Sequence, residues 1–108
     1  MDNATLEKMV TTAEVNLQKA RENLWAAAEA AIEAKLILEE RKASATVSGA
    51  FDGKNAEIRE AQARGQLEAE FAMLEEDEKK ERRARYEFDK ASIDLDTAKT
   101  LLRIAELK

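Results

Sequence analysis

Apolar residues recur along the first part of the chain at Leu6, Val10, Ala13, Leu17, Ala20, Leu24, Ala27, Ala31, Ala34 and Leu38. The steps alternate four and three without a break, which is the period of one helix face in a coiled coil. Neither Gly nor Pro interrupts the run, so the pattern predicts a long helix over about residues 4–43. Asp2 or Asn3 can cap its start, because a short side-chain oxygen accepts an otherwise unpaired N–H of the first turn. Ala13, Ala20, Ala27 and Ala34 share one heptad position; Val10, Leu17, Leu24, Ala31 and Leu38 share the other. A row of small side chains lets a second helix approach closely, which favours a tight antiparallel pair over a leucine zipper.

Residues 44–54 break the period. Ser44, Thr46, Ser48 and Asp52 cluster with Gly49 and Gly53, a composition that favours turns. A loop is expected there, less polar than a plain linker because of Val47 and Phe51. A short helix follows over about 55–66, capped by Asn55 or Asp52, with Glu57 at the end of the helix that favours an acid. Gly65 predicts a kink or break near residues 65–70. A second long helix is expected over about 70–107. Phe88, Leu95 and Leu102 form its large row, and Ala84, Ala91, Ala98 and Ala105 its small row. Traced back toward Leu74 and Leu67, this seam meets Asp77 and Glu81, where a looser or solvent-facing stretch is expected.

Two helices of roughly 40 residues run about 60 Å each at the α-helical rise. Matched lengths, matched Ala rows and a short connection predict an all-α, elongated antiparallel helical hairpin. It is coiled-coil-like, with an Ala-rich seam and a short third helix near the turn, in a single domain over 1–108. One seam does not use all the apolar residues. Ile93, Leu101, Ile104 and Leu107 lie off it on the second long helix, and Trp25, Ile32, Leu36 and Ile37 on the first. The surplus implies a second contact, with the short helix, another copy or another protein. Trp25 reads equally as a core anchor and as a binding hot spot.

Composition narrows the function. Of the 48 hydrophobic residues 21 are Ala, so the core must be thin. The chain has no His and no Cys, which removes the commonest general base, the thiolate nucleophile and Cys-based zinc sites. No catalytic residue, cofactor or metal is expected, and the protein is read as a non-enzyme. Asp94 and Asp96 lie two apart on a helix and do not face each other. The net charge of −5 is mild and argues weakly against general nucleic-acid binding. No apolar run approaches the ~20 residues that span a bilayer, and the start lacks a secretory pattern. A cytoplasmic protein away from membranes is expected.

Two segments resemble binding motifs. Lys79, Lys80, Arg82, Arg83 and Arg85 could meet phosphates, but Glu75–Lys79, Glu76–Lys80, Glu78–Arg82 and Glu81–Arg85 have the acid-first spacing that supports a solvated helix. Gly49 to Asn55 fails as a phosphate loop: three residues separate the glycines, and Asn55 follows Lys54 where Ser or Thr should stand. Gly53, Lys54 and Asn55 still lead into a helix N-terminus, which can hold an anion.

The segment Gly53-Lys-Asn-Ala-Glu-Ile-Arg-Glu-Ala-Gln62, followed by a long charged helix ending Leu101-Leu102-Arg103-Ile-Ala-Glu-Leu107, resembles small helical proteins of unknown function encoded by phages and prophages, often near recombination and replication genes. The resemblance covers roughly residues 40–107. It implies no catalytic residue and marks Lys54, Asn55 and Arg59 for testing. The resulting expectation is an interaction or assembly protein, a homo-oligomer or the partner of another protein, with a phage-related setting beside DNA-processing proteins. Its expected contacts are Trp25, Phe51, Lys54, Asn55, Arg59, Ile93, Leu101 and Ile104. The alternative is a single-stranded nucleic-acid-binding accessory using the loop and Lys79–Arg85, for which salt-sensitive oligonucleotide binding is the discriminating sign.

Overall fold

The computed structural model describes residues 2–108. Three helices follow one another: α1 over Asn3–Val47, α2 over Ala56–Gln66 and α3 over Glu68–Glu106. There is no strand among the described residues. The architecture is an all-α antiparallel helical hairpin with a short third helix, as the heptad pattern predicts. The chain gathers into two compact units, one of Met1–Ala26 with Glu81–Lys108 and one of Ala27–Lys80.

In the first unit, α1 buries Leu6, Ala13 and Ala20, and α3 buries Ala91, Leu95 and Ala98. Val10, Leu17, Leu24, Ala84, Phe88, Leu102 and Ala105 are half-buried on the same two rows. The direction is antiparallel: Met9 and Ala13 share a shallow groove with Ala98, whereas Ala20 and Asn23 share one with Glu87 and Ala91. Alanine therefore faces alanine across the seam, the close approach that the small rows permit. The Arg21 guanidinium lies 6.0 Å from the centre of the Phe88 ring.

In the second unit, Ala31, Ala34 and Leu38 of α1 and Ala63 of α2 are buried. Charged side chains tie its three helix segments together. Arg41 on α1 meets Glu70 on α3 at 3.5 Å, and Lys42 meets Glu60 on α2 at 3.8 Å. Lys42 and Arg64 both approach the Phe71 ring, at 4.9 and 4.7 Å from its centre.

Three details depart from the expected boundaries, each for a local reason. First, α1 continues to Val47, past residue 43. Thr46 and Ser48 return their hydroxyls to the carbonyls of Lys42 and Ala45, at 2.8 and 2.9 Å, so these turn-forming residues bond along the helix. The helix then stops at Gly49, whose φ of +79° is costly for any residue with a Cβ. Ala50 N–H donates to Ala45 O and Gly49 N–H to Thr46 O, the paired bonds of a Schellman ending. Second, Gly65 stays inside α2, and the expected break falls on Leu67 alone, with φ −113° and ψ 33°. Its N–H still donates to Ala63 O at 2.8 Å, so α3 starts at Glu68 with one residue between the helices. Third, Asp77 and Glu81 keep the three-four rhythm and are half-buried, not solvent-facing. Glu81 holds Arg85 at 3.6 Å.

The core is thin, as the alanine content requires. Among the described residues seven of the ten buried ones are Ala, and no side chain is less than 2% exposed. Burying one methyl contributes about 0.8 kcal/mol, against about 1.5–3 kcal/mol for a whole Leu side chain.

Candidate functional site

The outward face of α3 in the first unit is built by the same repeat that builds the seam. A heptad with one row inward carries the opposite row outward. Phe88, Leu95 and Leu102 point to α1, so Tyr86, Ile93, Thr100 and Leu107 occupy the opposite row. Ile93 is 64% exposed, Ile104 50% and Leu107 83%. Leu101 is also exposed, and lines a shallow hollow with Ile93, Asp96, Thr97 and Thr100. The Thr100 hydroxyl donates to Asp96 O at 2.8 Å, which turns a polar group into its own helix. The expected residues Ile93, Leu101 and Ile104 therefore share one continuous surface.

Trp25 lies elsewhere, on α1, and is 68% exposed. Of its two readings, the core anchor does not describe a side chain so open to solvent. Ile32 and Leu36 on α1 are likewise exposed.

The loop residues belong to the second unit, and most of their polar groups are occupied. The Asn55 side chain accepts the Ile58 N–H at 2.9 Å and so caps α2. Arg59 donates to the Gly53 carbonyl at 3.1 Å. Gln62 accepts the Gly53 N–H at 3.0 Å and donates to Asp52 at 2.9 Å, and Gln66 donates to Ala50 O at 3.1 Å. Four loop-to-helix bonds thus strap residues 50–53 onto α2. Phe51 is half-buried beside a hollow lined by Lys42, Thr46, Arg59 and Glu60, while Lys54 is exposed. Asn55 and Arg59 hold the loop; Lys54 projects from it.

In the basic run, Glu81–Arg85 is the expected pair that closes within 4 Å among the described residues, while Glu75 meets Arg64 of α2 at 3.9 Å. Sequence reasoning missed the cluster of Lys42, Glu60, Arg64 and Phe71. Its members lie far apart in the chain, and only the ordinary i,i+4 spacing of Glu60 and Arg64 was available as a local signal.

Among the described residues no group of three or more Asp or Glu converges as a metal site, and no helix is long and apolar enough to cross a membrane. Comparison with protein-family models, curated proteins and solved structures gives no match. The chain's own surfaces are the ground for a functional reading.

Proposed function

We propose that this protein is a non-enzymatic helical assembly protein that associates with copies of itself. The observation that carries this reading is the outward face of α3, where Ile93, Ile104 and Leu107 are each at least half exposed within one short stretch of helix. Covering these larger side chains gains more per residue than burying the alanines that make up most of the core. In this reading the protein works in the cytoplasm, in the phage-related setting beside DNA-processing proteins that its resemblance implies.

Absolute mass in solution, from size-exclusion chromatography with light scattering over a range of concentrations, tests it. The expected result is a mass above one chain that rises with concentration. A single-chain mass at every concentration up to the millimolar range overturns it.

A further inference from the structure

The outward face of α3 carries more than a scatter of apolar residues. Lys90, Ile93, Thr97, Thr100, Ile104 and Leu107 follow one another at steps of three, four, three, four and three. This is a second heptad row on the same helix, turned away from the first except at Thr97, which also borders the groove that α3 shares with Met9 and Ala13 of α1. All six lie within α3 or on its last turn, in the first unit, and all are exposed. A seam of this period is covered by another helix, and its flanks decide which one and in which direction.

The flanks are asymmetric. Asp89 and Asp96 precede Arg103 along one edge, and Asp94 precedes Lys108 near the other. Pairing two copies in parallel and in register sets Asp89 against Asp94 of the second copy, and Arg103 against its Lys108. Both contacts are between like charges. Pairing them antiparallel, with Ile93 against Ile104 and Thr97 against Thr100 of the second copy, sets Asp96 against Arg103 twice, once on each side of the two-fold axis. The charges thus oppose the parallel arrangement and support the antiparallel one.

We propose that the occupant of this surface is a second copy of the chain, with the two α3 helices antiparallel about an axis between Thr97 and Thr100. This rests on the self-assembly reading above and gives it a direction and a register. The stem of Lys90 covers Leu107 of the second copy while its ammonium stays in water. The threonine methyls fill the centre, and Thr100 keeps its hydroxyl bonded to its own helix. The seam spans 18 residues, about 27 Å at the α-helical rise. So short a seam makes a concentration-dependent dimer.

The test combines charge exchange with cross-linking. Asp96→Arg alone and Arg103→Asp alone each weaken dimerisation about fivefold or more, because each makes two like-charge contacts. The double variant Asp96→Arg/Arg103→Asp recovers to within about twofold of the wild type by the same arithmetic. The chain has no Cys, so Ile93→Cys and Ile104→Cys report directly. Mixed under oxidised glutathione they give a disulfide between the two variants, and neither forms one with itself. Self-linked Ile93→Cys, absence of any link, or a dimer indifferent to the charge exchange overturns the register while leaving self-assembly standing. A wild-type protein that stays monomeric overturns both.

Discussion

At Gly53 the space for one methyl group is already taken. A Cβ there would lie 2.5 Å from Ile58 Cγ2 and 2.9 Å from Ile58 Cβ. Since Ile58 is on the first turn of α2, the strapped loop would have to move, and Gly53→Ala is expected to cost about 1–3 kcal/mol, measured by urea unfolding. Gly65 is the contrast. Nothing lies within 4 Å of its Cβ position and its φ is ordinary, so Gly65→Ala should stabilise by about 1 kcal/mol in the same assay. Asp2 supplies a pH-dependent term. Its carboxylate accepts the Thr5 N–H at 2.8 Å, and this bond holds its pKa below the usual carboxylate value. A depressed folded pKa means that the cap is fully present above about pH 4 and is lost as pH falls through the lower, folded value. Exchange of the Thr5 amide should quicken in that window, beyond its ordinary pH trend, while an Asp2→Asn variant shows no such step. The candidate caps Asp2 and Asn55 were legible in the sequence because capping acts over three residues. The role of Gly53 was not, because its clash partner and its Gln62 bond depend on how the loop folds back.

At the scale of the helices, the seam was readable almost residue by residue. All ten α1 positions from Leu6 to Leu38 are buried or half-buried. Periodicity is a local property, and a helix of 45 residues repeats it often enough to leave no doubt about the face. What failed was the reading of composition. Ser44 and Thr46 look like loop residues, yet α1 runs through them, and the Thr46 hydroxyl bonds back to Lys42 O in the preceding turn. Asp77 and Glu81 look like breaks in the seam, yet the helix carries them through it. The ties between α1, α2 and α3 were hidden because Arg41 and Glu70 lie 29 residues apart. The small rows make a prediction of their own. Ala91 is 9% exposed and faces α1 at Ala20, so Ala91→Leu should force the helices apart and cost about 1–3 kcal/mol, despite being more hydrophobic. An exposed control, Ala69→Leu, should change stability by less than about 0.5 kcal/mol.

For the molecule as a whole, the decisive fact is how its larger apolar side chains are shared between inside and outside. The core holds three leucines among its buried residues, while Trp25, Ile93, Ile104 and Leu107 stay exposed. The sequence could show that one seam leaves this surplus. It could not say which residues form a surface, since Trp25 on α1 and Ile93 on α3 look alike until the helices are placed. In the proposed assembly the outward face of α3 joins two copies. The most direct measurement is sedimentation equilibrium of the wild type beside Ile104→Asp, with helicity followed by far-UV circular dichroism. Ile104 is half exposed, so its replacement should leave the helices intact. The expected result is a wild type that dimerises with concentration and a variant that remains a single chain with unchanged helicity. A variant that dimerises as well as the wild type would contradict it.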